Sequence, residues 1–347
     1  MLIWWKELLG LVCWAIFIGL LIGISFILFE LFYRRVPRIT DEFFNYRRLP
    51  GFLPQDGFFM DTHAHTLYSD GKMTVEQNIK WHIANGFRAM VLTDHNTAKG
   101  NAEFVAFQSK YPEIVLIPGF EWTAQNCHMI FMGIMDFPDP VPRVATLENL
   151  KAAITKAHAL GAVVMISHIT WTQWQPACAI GGLKHPTRDE LVTCGVDGFE
   201  INNEVRWYDP ESVYFVDAHN ANNSGKRLFL ATATDIHNPF EHWVAGWTQL
   251  LLTPQESVHP TIEIIKKALC EARTKIWVSH DYDVPPEKQL AAGGSKPPSR
   301  YDVLLYPFYM LVLGLKALPA DAKRITLLVF WALLAYLPIR LLFGVLF

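Results

Sequence analysis

The chain of 347 residues is long enough for one large domain or two medium ones with a full core. A formal net charge of -3 and no basic stripe interleaved with aromatics exclude a stable nucleic-acid partner, though a small nucleotide substrate stays open. Cys13, Cys127, Cys178, Cys194 and Cys270 are scattered without a Cys-x-x-Cys pair, which excludes a disulfide framework and a zinc knuckle.

Hydrophobic residues make up 51% of the chain and charged residues only 18%, an excess that points to membrane segments. The uncharged run between Glu7 and Glu30 spans roughly 33 Å as a helix, enough to cross a bilayer core. Trp4, Trp5 and Tyr33 flank it as interfacial anchors. A cleaved signal peptide is the rival, disfavoured because the run is too long and no small-x-small site precedes Tyr33. Residues 1–33 are therefore expected to be a membrane anchor and 34–57 a connector. Arg34, Arg35 and Arg38 follow the span while only Lys6 precedes it, which places the next domain on the cytosolic side.

From residue 58 to 280, apolar strand-like runs alternate with helical stretches. A helix is predicted over 74–85 with Thr74 as its cap, then a strand over 88–93, a helix over 101–110 and strands over 114–117 and 128–134. The series continues with helix 147–160, strand 162–166, helix 187–193, strand 198–201, helix 210–221, strands 227–231 and 247–252, helix 261–273 and strand 275–279. This alternation predicts an α/β barrel of parallel-type strands, whose active site sits at the strands' C-terminal ends. Residues 281–302, rich in Pro, Gly and charge, are read as a linker, and 303–347 as a membrane hairpin of helices 303–318 and 325–347. A hairpin lying on the membrane surface is the alternative.

Six strand ends carry His, Asp or Glu. In 60–71 (MDTHAHTLYSDG), His63 and His65 alternate along a strand end and so project to one side, with Asp70 in the following turn. His95 ends 91–95 (VLTDH), Glu121 ends 117–121 (IPGFE), His128 opens 128–132 (HMIFM), His168 ends 163–168 (VVMISH), and Asp235 and His237 end 228–237 (LFLATATDIH). Imidazoles and carboxylates without thiolates suit Zn, Mn or Fe, and Glu121 can bridge two ions. His82, His158 and His219 lie in predicted helices, and His185, His242, His259 and His280 in loops, so these are read as structural. Glu200 and Asn202 end a further strand as candidates for orienting ligands or binding substrate. Asp61 and Asp94 are expected to support the neighbouring histidines. Trp171 and Trp174, just after His168, are candidates for a wall against an apolar or aromatic substrate group. No Gly-x-Ser-x-Gly elbow, Walker loop or dinucleotide fingerprint is present.

The order D-x-H-x-H-T-x-x-S-D-G at 61–71, T-D-H at 93–95, P-G-x-E at 118–121, then His128, His168 and D-x-H at 235–237 resembles the polymerase and histidinol phosphatase (PHP) family of metallohydrolases. The resemblance implies a distorted seven-stranded (βα) barrel over 58–280 with a cluster of three divalent ions. By that likeness His63, His65, Glu121 and Asp235 hold the first ion, Glu121, His128 and His168 the second, and Asp70, His95 and His237 the third, with Glu121, Asp235 and His237 closest to the chemistry. Ile169-Thr170 stands after His168 where many members have a proline, so the loop there is expected to be peculiar to this chain. The expected activity is hydrolysis of a small, phosphorylated ester by a metal-activated water in a membrane-anchored enzyme. A carboxyl- or carbamate-ester hydrolase and a membrane-tethered, non-catalytic binding protein are the alternatives.

Overall fold

Threonine opens several of the helices because its hydroxyl accepts from a first-turn N–H that has no partner inside the helix. The computed structural model describes residues 53–179, 181–203, 207–222, 225–239 and 244–278. In chain order the elements are β1 (Phe58–Asp61), α1 (Val75–Ala84), β2 (Ala89–Leu92), α2 (Asn101–Ala106) with a 3₁₀ turn (Phe107–Ser109), β3 (Val115–Ala124) and β4 (Cys127–Met132). Then come α3 (Leu147–Ala159), β5 (Val163–Ile166), α4 (Ile169–Trp174), α5 (Pro176–Ala179), α6 (Arg188–Cys194), β6 (Gly198–Asn203) and β7 (Trp207–Tyr208). The last are α7 (Pro210–Asn222), β8 (Phe229–Ala233), β9 (Gly246–Leu250), α8 (Pro254–Val258), α9 (Ile262–Cys270) and β10 (Thr274–Val278). Thr74, Thr146, Thr187 and Thr253 cap α1, α3, α6 and α8, each in a reciprocal capping box with Gln77, Asn149, Glu190 or Glu256.

The sheet runs β10-β9-β1-β2-β3-β4-β5-β6-β7, with β8 also paired to β6. It curls, but it does not close. The expected closed (β/α)7 barrel is thus corrected to an open half-barrel, in which β8 and β9 share no ladder. Their seam is held instead by side chains: the Thr232 N–H donates to Thr248 Oγ1 (2.8 Å) and that hydroxyl donates to the Thr232 carbonyl (3.0 Å). Nor are the strands all parallel, since β4 is antiparallel to β3 and β5, and β9 to β1 and β10. Only Gln125 and Asn126 separate β3 from β4, too short a link for a parallel crossover, so a hairpin is forced.

Strand alternation sends Met60, Val91, Ile117, Ile130, Met165 and Phe229 inward to one core, which Ile265 and Leu269 of α9 complete. Outside the sheet, α3 and α6 pack Leu150, Ile154 and Leu191 over one half, and α1 and α2 pack Ile79 and Phe104 over the other. At Gly198 a Cβ would lie 2.6 Å from the Phe229 ring, so no larger residue fits between β6 and β8. All described residues fall in one unit, Arg38–Ser295.

The membrane reading is also corrected. Among the described residues no helix is long and apolar enough to cross a membrane. The longest, α3 and α7, have 13 residues each, about 20 Å, whereas a bilayer core needs about 30 Å. The spans expected within 1–33 and 303–347 lie outside the described residues. The integral-membrane, cytosol-facing localisation and the membrane partner are therefore not carried forward.

Away from the seam, the buried Asp197 carboxylate joins four segments: its Oδ2 accepts from the Val164 N–H (2.7 Å) and lies 2.8 Å from His158 Nε2, and its Oδ1 lies 2.6 Å from Lys226 Nζ. Burial raises its pKa, but the His158 and Lys226 hydrogen bonds hold it below the ordinary carboxylate value. A depressed folded pKa gives stability that is present above the unfolded pKa and lost as pH falls through the folded one. Asp197→Asn is expected to destabilise by about 1–3 kcal/mol near neutrality. In urea titrations the deficit should shrink as pH drops below the ordinary carboxylate range; a deficit constant with pH would contradict this.

Candidate metal centre

The centre starts where β1 ends. Beyond Asp61 the chain stays extended, Ala64 makes a parallel bridge with Ile236, and His63 and His65 project inward with fully buried side chains. The next segment turns back, with the Thr66 carbonyl accepting from the Ser69 and Gly71 N–H groups. Asp94 fixes that turn, taking hydrogen bonds from the Thr66 N–H (2.7 Å), the Thr66 hydroxyl (2.6 Å) and the Ser69 hydroxyl (2.6 Å). A Cβ at Gly71 would stand 2.6 Å from the His65 carbonyl, so glycine is required. The turn delivers Asp70, whose Oδ1 lies 3.2 Å from His237 Nε2, 3.7 Å from His95 Nε2 and 4.0 Å from His65 Nδ1.

Glu121 occupies the middle. β3 carries it past Pro118-Gly119 into the hairpin, and His95 bridges its backbone. Its Oε2 is 2.5 Å from His95 Nδ1 and 3.5 Å from the Nε2 of both His63 and His65; its Oε1 is 2.8 Å from His128 Nδ1 and 3.4 Å from His168 Nε2. Asp235 approaches from the opposite side, its Oδ1 2.9 Å from His65 Nε2, 3.3 Å from His63 Nε2 and 3.5 Å from His237 Nδ1. Every residue expected as a ligand is thus in one cluster. His82 is not: its Nε2 lies 2.8 Å from Asp61 Oδ2, behind the centre.

Neighbouring groups carry opposite electrostatic loads. Burial raises the Glu121 carboxyl, but His95, His63 and His128 outweigh it and hold the group well below its ordinary value. Burial lowers His63, yet Asp235 and Glu121 raise it well above the usual imidazole range. His65, two residues on, is pushed down to about 3 by burial and by His237 and His95. Burial takes His128 to about 4 despite Glu121, while Asp235 and Asp70 overcome burial at His237 and lift it to about 9.

These side chains fit a cation. His63 Nε2, His65 Nε2, Glu121 Oε2 and Asp235 Oδ1 are enclosed, lack hydrogen-bond partners and face one another, which is a donor set turned toward a common guest. Four overlapping sets place their donor atoms within 4.8 Å of one another: His65, Asp70, His95 and His237; His63, His65 and Asp235; His63, Glu121 and His168; and His95, Glu121 and His128. They are candidate divalent-metal sites. The grouping differs from the partition the resemblance implies, because His65 also stands with Asp70, and His95 also with Glu121.

The supporting shell departs from expectation at Asp94 and Asn202 but not at Glu200. Asp94 holds the Asp70 turn rather than His95. Glu200 Oε2 lies 3.1 Å from His63 Nδ1, which makes it the carboxylate that orients that ring. Asn203, not Asn202, donates to Asp235 Oδ2 (3.2 Å), because a bulge between Glu200 and Asn202 shifts the register of β6 on β8 and exchanges the faces beyond it. Thr123 lies 2.7 Å from His95 Nδ1, a contact that only the β3–β4 hairpin reveals. Trp171 stands edge-on to His128 and His168, with ring centroids 5.4 and 4.8 Å away. Across α4 a cavity of about 330 Å³, lined by Ile169, Gln173, His185, Pro186, Arg188 and Phe215 among others, touches none of the clustered residues.

A curled α/β half-barrel with buried histidines and carboxylates converging at its strand ends is the architecture of a metal-dependent hydrolase. Residues 61–183 match the PHP domain, a stretch holding the clustered residues from His63 to His168 but not Asp235 or His237. No curated protein sequence matches the chain. Among solved structures, the chain is similar to a two-domain protein of Bacteroides vulgatus ATCC 8482 that contains a predicted PHP-like metal-dependent phosphoesterase, at 20% identity and a TM-score of 0.51, covering 71% of this chain and 73% of that one. It is also similar, at TM-scores of 0.40 and 0.39, to a protein of Bifidobacterium adolescentis ATCC 15703 assigned as a metal-dependent phosphoesterase (16% identity; 53% of this chain, 88% of that one) and to an amidohydrolase of Chromobacterium violaceum with bound sulfate (15%; 65% and 99%). The PHP-domain match and the clustered side chains together make the chain a metal-dependent hydrolase that works through a metal-activated water.

Glu200→Gln tests the support given to His63. Metal affinity is expected to fall about 10- to 100-fold with the fold intact. Equilibrium titration with Zn or Mn, beside circular dichroism, measures both, and an unchanged affinity would show that Glu200 does not tune the site.

Proposed function

We propose that the chain is a phosphoesterase acting on a small phosphorylated ester at a centre of three divalent ions, for which Zn, Mn and Fe all suit the donors. The observation that carries the reading is the enclosed, unpartnered quartet of His63 Nε2, His65 Nε2, Glu121 Oε2 and Asp235 Oδ1. In this reading His63, His65, Glu121 and Asp235 hold the first ion, Glu121, His128 and His168 the second, and Asp70, His95 and His237 the third. The likeness to the Bacteroides protein supports the fold, and its assigned activity is the one proposed for this chain.

When bound, the ions supply a water of lowered pKa and positive charge for the phosphoryl oxygens. The rest falls to the side chains. Glu200 Oε2 accepts a hydrogen bond from the His63 Nδ1–H, which keeps that proton on Nδ1 and leaves Nε2 as the lone-pair nitrogen aimed at Glu121 and Asp235. Glu121 neutralises charge on both sides of the centre at once, since its two oxygens face different histidines. Asp235 and His237 lie at the accessible side, with side chains 12% and 24% exposed against 0% for His63 and Glu121.

Chelation is expected to abolish hydrolysis and metal return to restore it, and Glu121→Ala should be the most damaging single change because it strips a shared carboxylate. Full turnover after exhaustive demetallation would end the reading. A screen of phosphomonoesters, phosphodiesters and carboxyl esters on the metal-loaded protein separates the phosphoester from the carboxyl-ester alternative. For the number of ions, elemental analysis of Asp70→Asn and His95→Ala should each show one metal equivalent fewer. Unchanged stoichiometry in both variants would eliminate the third site and leave Asp70 as a turn-former.

A further inference from the structure

The wall of the centre on the α4 side is aromatic. His168 ends the approach from β5, takes the left-handed backbone conformation (φ 25°) and starts α4, which brings Trp171 back over the cluster. The indole meets His168 and His128 at 69° and 70°, so a ring edge, rather than stacked faces, makes each contact. His128 in turn meets His95 at 5.9 Å and 89°. His95, Asp70 and His237 form the accessible side of the centre, with side chains 25%, 54% and 24% exposed. The rings of Trp171, His128 and His95 thus stand in successive edge contact from the wall toward the opening, with the His128 ring itself buried. Trp171 itself is only half-buried and retains surface open to solvent. Phe215 and Ile169 line the cavity on the other side of α4 and leave this wall to the indole.

Resting on the metal-dependent hydrolase reading, we infer that Trp171 is a specificity-determining residue whose free indole surface receives a planar aromatic group in the non-reacting part of the substrate. The ester group would then sit on the ions beside His128 and His168, with its organic substituent against the neighbouring ring. Trp offers the largest rigid apolar face of any side chain at little cost in rotamer freedom, so an aryl substituent gains contact that an alkyl one of few carbons does not. The lone alternative role is packing: Trp171 simply holds His128 and His168 in place. The two roles differ in what a substitution moves, because loss of packing lowers metal content whereas loss of a platform lowers only aryl preference.

The test uses the metal-loaded full chain and two non-hydrolysable probes, phenylphosphonate and methylphosphonate, in equilibrium binding. Wild type is expected to prefer the phenyl probe by about three- to ten-fold, the range an aromatic contact supplies. Trp171→Phe should keep most of that preference. Trp171→Leu, which retains bulk against the histidines without a π-face, should lose it at unchanged metal content. Equal binding of the two probes by wild type, or an unaltered preference in Trp171→Leu, would overturn the inference. So would a fall in metal content in Trp171→Leu with the aryl preference of the remaining holoenzyme intact, which is the packing outcome. Should wild type bind neither phosphonate, the phosphoester reading fails on its own. Rates with benzyl acetate against ethyl acetate in the same three proteins then decide the role of Trp171, with loss of benzyl preference in Trp171→Leu supporting it and retention opposing it.

Discussion

The buried carboxylate of Asp61 is the tie on which the centre depends. The sheet does not close by a ladder between β8 and β9, so something else must fix the segment after β8 against the end of β1. Asp61 does so from the last residue of β1. Its Oδ1 accepts from the Thr234 N–H (3.0 Å) and the His63 N–H (3.4 Å), and its Oδ2 accepts from the Thr234 hydroxyl and sits 2.8 Å from His82 Nε2. Thr234 immediately precedes Asp235, and His63 is two residues from Asp61, so one carboxylate sets the distance between two facing donors. Backbone bonds from Asp235 to His63 (3.0 Å) and from His65 to Ile236 (3.1 Å) continue the same seam. An open sheet whose edge is joined by a few such contacts can bring ligands from distant strands together without the regularity that a closed barrel imposes.

The price of that arrangement is electrostatic. Glu121, Glu200, Asp61 and Asp235 are all nearly inaccessible, and burying ionised groups costs several kcal/mol each unless opposite charge or hydrogen bonds compensate. Asp61 is compensated by donors and Glu200 by His63, whereas Glu121 and Asp235 face mainly imidazoles. The consequence is the divergence between His63 and His65, neighbours on one strand end. His63 lies against three carboxylates and is pulled upward; His65 has His95 and His237 rings at 4.4 and 4.1 Å and is driven down. A cluster that sets such demands on adjacent imidazoles is matched by cations, which satisfy lone pairs and carboxylate charge together.

Much of this was legible in the sequence because the ligands sit where chemistry and periodicity coincide. An apolar, β-branched run ending in His, Asp or Glu marks both a strand and its C-terminal end, and the residues so marked do converge. Legibility failed where local signals misreport backbone pairing. Pro118-Gly119 reads as the end of a strand, yet β3 continues to Ala124: Gly119 is needed because a Cβ would meet the Phe131 and Leu92 carbonyls at 2.8 and 2.9 Å, and the Pro118 carbonyl accepts from the Gly133 and Ile134 N–H groups. The antiparallel β4 follows from that extension, and with it the loss of the regular barrel. Asn202 was singled out by alternation, but a bulge, invisible to a period-2 pattern, gave its place to Asn203. Composition was the weakest guide, since apolar abundance says nothing of where a helix lies or how long it runs.

Backbone conformation supplies the remaining reason. Of the described non-glycine residues, Asn96, His168, Asp235 and Ala272 have positive φ, and the first three lie in or beside the centre. Such a conformation costs a non-glycine residue of order 1 kcal/mol or more, and it persists only where surrounding contacts fix it. At His168 those contacts are the start of α4 and the indole of Trp171; at Asp235 they are the His63 carbonyl, which takes the Asp235 N–H, and the Asn203 amide. In an extended strand the side chains of His168 and Asp235 would alternate with their neighbours. The left-handed turn frees them from that alternation and aims both at the imidazoles already placed by β1. The sequence announces where a strand stops, but the direction a ligand takes beyond it is set by strain that only the assembled seam can hold.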